Sequence, residues 1–186
     1  PLVSMAPEEQ ASVEPGGPVF DLRDIVEDRF PPQFHAPGFI LESPQGDVLT
    51  QRALWELYQN EEALRRADEL GELHPPDLDS QPFLYRGYFA DIERPFYGIY
   101  SIADAVQEAL NTFGVSLENA TDEQVKLAVH GILHKDSPTS ALREHLSEKA
   151  TATEAQAEIG GQTVRYLRWR SPAITTFVAA DNQRLG

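Results

Sequence analysis

Residues 38–67 read GFILESPQGDVLTQRALWELYQNEEALRRA and predict a strand, a turn and a helix in succession. The apolar run at Gly38–Ser43 lies between turn-forming residues, which is typical of a short strand. The next four residues, Pro-Gln-Gly-Asp, predict the turn. Thr50 is placed to cap the helix. Its mostly apolar face carries Leu54, Leu57, Tyr58, Glu61 and Leu64, at spacings of three and four.

Helical and strand-like patterns alternate along the rest of the chain. Residues 77–97 are irregular and aromatic, and a short strand is predicted at Gly98–Tyr100. Two capping-box patterns, Ser101 with Asp104 and Thr121 with Gln124, predict helix starts. Spacing of apolar residues predicts helices over 102–113, with Phe113 on its apolar face, over 122–135, and over 138–149 after Ser137-Pro138. Branched and aromatic residues predict strands over 163–170 and 173–180.

The N-terminal residues differ in composition from the rest of the chain. Residues 1–19 are rich in proline and glycine, which predicts a linker. A short helix is predicted at Asp21–Arg29, where Pro31 and Pro32 end it. The first ten residues lack the basic and apolar regions of a signal peptide.

Composition excludes several classes of function. The net charge of −15 argues against nucleic acid and against anionic lipid surfaces as partners, because both repel an acidic protein. There are no cysteines, so disulfides, thiolate metal sites and cysteine nucleophiles are excluded. At 186 residues the chain is long enough to bury a core of its own.

Four segments resemble a family of membrane exporters. The stretch at 20–64, FDLRDIVEDRFPPQFHAPGFILESPQGDVLTQRALWELYQNEEAL, resembles the region after the first membrane helix in exporters of the RND superfamily, in its MMPL or Patched-like branch. The resemblance continues in GIYSIADAV at 98–106, ATDEQVKLAVHGIL at 120–133 and SPAITTFVAADNQRLG at 171–186. The order and spacing of these segments extend the resemblance over about residues 20–186.

This resemblance implies an α+β fold with a ferredoxin-like, porter-type sheet and an inserted helical lobe. In such a sheet the third strand, at 173–180, is expected to pair antiparallel with the first strand, at 39–43. The expected organisation is a linker at 1–19, a porter-like subdomain made of 20–101 and 160–186, and a lobe at 102–159. A ferredoxin-like unit needs a second helix and a fourth strand, and the sequence predicts neither after Ala180. We therefore expect an incomplete sheet whose first strand has an open edge, with self-association through strand addition.

In function, the resemblance implies a soluble extracytoplasmic domain of a proton-driven exporter, on the outer face of the cell membrane. Its expected role is recognition or passage of a hydrophobic or lipid-like substrate. The expected partners are the membrane helices and the second extracytoplasmic loop of the parent transporter. Proton-relaying residues of the family lie in membrane helices, and no run here approaches the ~20 apolar residues that a span needs. No catalytic residue, cofactor or ion-coupling residue is therefore predicted.

Seven aromatic residues within eighteen positions form the candidate contact site. Their number exceeds what one strand can bury. They either fill the joint between sheet and helical lobe, or contact a hydrophobic cargo or a second porter domain. The residues are Phe83, Tyr85, Tyr88, Phe89, Phe96, Tyr97 and Tyr100.

Other candidate sites have simpler interpretations. His130 and His134 are four residues apart on one predicted helix, a spacing that can hold a metal. They share a stripe with Lys126 opposite the apolar face, and this favours a solvated surface without a metal site. Paired acidic residues such as Glu61 and Glu62 point apart on a helix, so no acid–base pair is predicted. The alternative function is a stand-alone extracellular α+β binding module without catalytic activity.

Overall fold

The structure is a computed structural model, and it describes residues 34–35, 38–73, 83–89 and 94–181. The chain divides into two units, Pro1–Gln33 and Phe34–Gly186, and every described residue belongs to the second. The predicted linker at 1–19 and the predicted helix at 21–29 therefore lie outside the described residues.

Helices and small antiparallel sheets give the described part of the chain an α+β fold, as predicted. Two pairings join the two ends of the described part of the chain. Strand β1 (Phe34–His35) pairs with β8 (Ala180–Asp181), and β2 (Gly38–Glu42) pairs with β7 (Ala173–Phe177). Both pairings keep one register, which runs from Phe34 opposite Asp181 to Glu42 opposite Ala173. The predicted antiparallel pairing of 173–180 with 39–43 is thus confirmed.

The other side of the segment at 173–181 makes single bridges. Leu146 pairs with Ile174, Ile99 with Val178 and Leu84 with Ala180. The segment therefore lies between β1–β2 and these three bridging positions. The prediction of a strand at 98–100 was wrong, because Ile99 is the only one of these three residues that forms a β-bridge. Gly98 has a φ of 68°, which turns the backbone there and prevents a continuous strand.

The outer edge of β2 has no paired strand among the described residues. Phe39 is 55% exposed and Ile40 69% exposed, although they point to opposite faces of the strand. Leu41, next along the strand, packs against the core. The exposed positions thus lie toward the Gly38 end of β2.

Helix α1 (Gln51–Glu69) follows β2 as predicted. The Thr50 side chain accepts a hydrogen bond from the Ala53 main-chain N–H, which confirms the predicted cap. Leu54 is fully buried in the core, and two acidic residues of the helix, Glu61 and Asp68, are buried as well.

The aromatic stretch after α1 contains a hairpin. Strands β3 (Arg86–Phe89) and β4 (Arg94–Tyr97) pair antiparallel. The prediction of irregular structure was wrong for these eight residues. Aromatic side chains favour strands, but Gly87 and Pro95 interrupt the pattern that would have indicated one.

Two capped helices follow. Helix α2 (Ile102–Asn111) begins at the predicted capping box of Ser101 and Asp104, and helix α3 (Asp122–Ile132) at that of Thr121 and Gln124. Both boxes are therefore confirmed. Phe113, predicted on the buried face of α2, is 80% exposed. That prediction was wrong because α2 ends at Asn111 and the chain turns away before Phe113.

The helix predicted over 138–149 is a 3-10 helix of six residues, Ser140–His145. Ser137 does not cap it. The hydroxyls of Ser137 and Thr139 hydrogen bond each other, and Thr139 donates to the carbonyl of Ile132. Leu146 then leaves the helix to bridge Ile174. Competing side-chain bonds and this bridge shorten the helix.

A long hairpin lies between this segment and β7. Strand β5 (Thr151–Ile159) pairs with β6 (Gln162–Arg170) in nine consecutive pairs. Gly160 and Gly161 both have positive φ and form the two-residue turn between them. The strand predicted over 163–170 is confirmed. The prediction of a helical lobe over 102–159 was wrong for residues 151–159, which form a strand.

A single core joins the helices to the sheets. Leu54 of α1, Val106 of α2 and Val129 of α3 are all fully buried in it, and Trp169 of β6 and Ile174 of β7 pack against them. No helix within the described ranges is long and apolar enough to cross a membrane.

Candidate functional site

The predicted aromatic site maps to the β3–β4 hairpin and its flanks. Tyr88 and Phe89 lie in β3, and Phe96 and Tyr97 in β4. Phe83, Tyr85, Tyr97 and Tyr100 are each half-buried. The structure thus brings the seven predicted residues onto one hairpin and its two adjoining segments. Their role as a contact surface stays a prediction.

Asp68 attaches this hairpin to helix α1. Its buried carboxylate accepts the Phe83 main-chain N–H at 2.5 Å and the Tyr97 hydroxyl. Burial raises the pKa of the Tyr97 phenol, and its bond to Asp68 raises it further, whereas Arg86 opposes the shift. The hydroxyl therefore remains a donor at neutral pH.

A shallow cavity of about 550 Å³ opens beside the hairpin, lined by Glu69, Arg86, Gly87, Pro95 and Tyr97. The Arg86 guanidinium lies over the Tyr97 ring at 4.2 Å from its centroid. The Tyr85 ring covers Gly87 so closely that an added Cβ would lie 2.1 Å from Tyr85 Cε1. A larger residue at position 87 would therefore have to displace the Tyr85 ring.

A buried polar cluster holds the end of β4 against α1 and α2. The guanidinium of Arg65 donates to the Ile99 carbonyl at 2.7 Å and to Asp104 at 2.9 Å. Glu61 is 2% exposed, and burial first, then the charge of Asp104, raises its pKa to about 9. Glu61 is therefore protonated at neutral pH. A neutral carboxyl group is thus buried beside the ion pair of Arg65 and Asp104.

The stripe of Lys126, His130 and His134 does not form the predicted solvated face. Lys126 is 2% exposed, so the prediction was wrong for this residue. Its ammonium donates to Asp47 and to the Trp169 carbonyl, each at 2.7 Å. His130 is half-buried, and its Nδ1 accepts the Leu167 main-chain N–H at 3.3 Å. Only His134 is largely exposed.

Asp47 is the other half of this ion pair. It accepts the main-chain N–H groups of Leu49 and Ser171, at 3.1 and 3.3 Å, in addition to the Lys126 ammonium. Burial lowers the pKa of Lys126, and Asp47 opposes that shift. No sequence pattern indicates this pair, because its members are 79 positions apart.

The pair borders a polar cleft of about 990 Å³. Arg168 and Arg170 of β6 line it, and Arg52 and Asp122 lie at the starts of α1 and α3. The Asp122 carboxylate accepts the Gln51 main-chain N–H at 2.7 Å. Arginine side chains and the N-terminal ends of α1 and α3 thus face one cleft. Acidic residues that line the same cleft, such as Asp47 and Asp122, balance much of this positive charge.

A metal site has no support among the described residues. No group of three or more histidine, aspartate or glutamate side chains lies close enough there to hold an ion. The rings of His130 and His134 meet edge to face, with centroids 6.0 Å apart. One nitrogen of His130 is already occupied by Leu167.

Comparison with known proteins gives no match to a family model, a curated protein or a solved structure. The function is therefore inferred from the contacts of the hairpin, the polar cluster and the cleft, together with the resemblance in sequence.

Proposed function

We propose that this chain is an extracytoplasmic, porter-type domain of an exporter of the RND superfamily, in the MMPL or Patched-like branch. It takes part in the recognition or passage of a hydrophobic or lipid-like substrate. Membrane helices elsewhere in the parent protein supply the proton coupling, and a second extracytoplasmic loop packs against this domain.

The observation that carries the proposal is the antiparallel pairing of β2 with β7, the expected first and third strands. A ferredoxin-like sheet places its first and third strands side by side, with the third strand central. Here β7 has β2 on one side and a bridge to Leu146 on the other, and Val178, the residue after β7, bridges Ile99. Helix α1 follows the first strand, and the segment with α2 and α3 precedes the third. This order supports a porter-type sheet.

The β3–β4 hairpin is the part of the domain that contacts substrate. Its aromatic side chains combine apolar area with polar ends, which suits a lipid-like molecule. Asp68 and Arg65 hold the hairpin to α1, so the surface is prepared before a substrate binds. The cavity beside Arg86 and Tyr97 offers a place for an acyl chain next to a cation.

Binding of a fluorescent long-chain fatty acid to the purified chain tests this role. Tyr97→Ser removes a ring that lines the cavity, and we expect binding about tenfold weaker. Phe113→Ser is the matched control, because it removes an exposed aromatic ring on the chain after α2. Circular dichroism establishes that both variants keep their helices. Equal binding by the native chain and Tyr97→Ser would contradict the role of the hairpin.

The polar cleft favours a second candidate function, that of a stand-alone extracellular α+β binding module without catalysis. Its volume of about 990 Å³ is suited to a small polar ligand. The coding sequence on both sides of this chain discriminates the two functions. Membrane helices encoded on either side support the exporter, and their absence supports the binding module.

A further inference from the structure

The β5–β6 hairpin has two edges with different surroundings. In a hairpin with a two-residue turn, the residues flanking the turn form a hydrogen-bonded pair, and such pairs then alternate. Ile159 and Gln162 flank this turn. The main-chain groups of Ala152, Glu154, Gln156 and Glu158 therefore point away from β6, and those of Leu167 and Trp169 point away from β5.

Helix α3 covers the outer edge of β6. The Leu167 N–H donates to His130, and the Trp169 carbonyl accepts from the buried Lys126 ammonium. Two of the outward main-chain groups of β6 are thus satisfied by side chains of one helix.

The outer edge of β5 has no equivalent cover within the described ranges. Its side chains are exposed at every position except Ala155 and Ala157, which are half-buried. The edge of β5 has no proline, no lysine and no bulge in its nine pairs, and its only charged side chains are the negative Glu154 and Glu158. A third strand would satisfy the outward groups of β5.

The side chains of β5 specify what kind of strand fits. Glu154 and Glu158 lie on one face, and the strand has no basic residue. On the other face are Ala155, Ala157 and the exposed Ile159, with Val164 opposite Ala157. A complementary strand therefore alternates basic residues, which meet the glutamates, with apolar residues, which cover Ile159.

We propose that the outer edge of β5 binds an extended, basic segment of a partner protein as the third strand of this hairpin. The net charge of −15 adds long-range attraction for such a segment. A second copy of this chain fits less well, since it carries the same negative charge and the same glutamates to the contact. This inference is independent of the proposed exporter function.

The test uses a synthetic peptide as long as β5 that alternates lysine and valine, with a glutamate–valine peptide as control. Amide hydrogen exchange is followed residue by residue. On binding the lysine peptide, the amides of Glu154, Gln156 and Glu158 are expected to exchange about tenfold more slowly. The intervening amides, already bonded to β6, change little. The glutamate peptide produces no such protection.

Two proline variants separate the edges. Gln156→Pro removes one outward N–H of β5 and leaves the bonds to β6 in place, so lysine-peptide affinity is expected to fall about tenfold. Thr163→Pro makes the same change on the outer edge of β6 and is expected to leave affinity within about threefold. Circular dichroism reports whether each variant keeps the native fold.

A charge reversal gives a second measurement that does not depend on proline. E154K/E158K is expected to weaken lysine-peptide binding about tenfold and to create binding of the glutamate peptide. Three results would overturn the proposal. The lysine peptide could leave the amides of Glu154, Gln156 and Glu158 unprotected, the two proline variants could have equal effects, or E154K/E158K could change the affinity for neither peptide. Sedimentation showing a dimer of the free chain that Gln156→Pro abolishes would also overturn it, because the edge would then bind a second copy.

Discussion

The ammonium of Lys126, on α3, lies 2.7 Å from the main-chain carbonyl oxygen of Trp169, on β6. The same ammonium lies 2.7 Å from Asp47, in the turn after β2. The buried Lys126 side chain therefore connects the β5–β6 hairpin, helix α3 and the turn after β2.

Removing the positive charge of Lys126 should destabilise the fold. Lys126→Met leaves the largely buried Asp47 carboxylate without its nearest cation, and we expect the free energy of unfolding to fall by about 3 kcal/mol. Urea unfolding measures the change. Lys135→Met, at an exposed lysine, is the control and should stay within about 0.5 kcal/mol. Equal losses in the two variants would show that the buried pair contributes nothing particular.

Core positions on the two capped helices give a second prediction. Leu110→Ala and Ile132→Ala each remove a buried side chain, and each should lower the free energy of unfolding by about 2–5 kcal/mol. Phe113→Ala removes a larger but exposed side chain and should lower it by less than about 0.5 kcal/mol. The reverse order of effects would contradict the observed end of α2.

Glu61 predicts a fall in stability with rising pH. Its pKa is about 9 in the fold against 4.5 for the ordinary group. The folded chain therefore binds the proton more tightly than the unfolded chain. This stabilisation is complete below pH 4.5 and is lost as the pH rises toward about 9.

The variant Glu61→Gln keeps a neutral side chain at every pH, so its stability should fall less steeply between about pH 5 and 9 than that of the native chain. Urea unfolding across this range measures the slopes. Glu56→Gln, at an exposed position of the same helix, should keep the native slope. An unchanged slope in Glu61→Gln would contradict the protonated state assigned to Glu61.

His130 predicts a loss of stability in acid. Burial, and then the charge of His134, lowers the pKa of His130 below 6.5. The neutral ring accepts the Leu167 N–H, and the protonated ring cannot. This contribution is therefore present above pH 6.5 and lost as the pH falls through the lower folded value.

Ring titration by NMR should place the His130 pKa below 6.5, and His130→Gln should show a weaker loss of stability in acid. His134→Gln removes the neighbouring charge and should move the His130 pKa up toward 6.5, so its loss of stability in acid should lie between those of the native chain and His130→Gln. A His130 pKa above 6.5 would refute this assignment.

Features that depend on neighbouring residues were predictable from the sequence. The caps at Thr50, Ser101 and Thr121 each involve bonds within three positions, so the residue types indicate them. The antiparallel pairing of β2 with β7 was expected from the resemblance and from two apolar runs.

Features that depend on distant partners were not predictable in this way. Lys126 resembles a surface lysine in sequence, and only its contacts with Asp47 and Trp169, 79 and 43 positions away, explain its burial. Strand β5 is rich in alanine and glutamate, which favour helices, and its pairing with β6 overrides that preference. The turn at Gly160 and Gly161 was the available signal for this hairpin.

Photo-crosslinking tests the central claim, that the aromatic hairpin contacts a lipid-like substrate. The intact chain is irradiated with a photoreactive long-chain fatty acid, and mass spectrometry locates the adducts. We expect adducts to be concentrated within residues 83–100, and their amount there to be lower in Tyr97→Ser. Adducts concentrated at the polar cleft around Arg168, or distributed evenly along the chain, would contradict it.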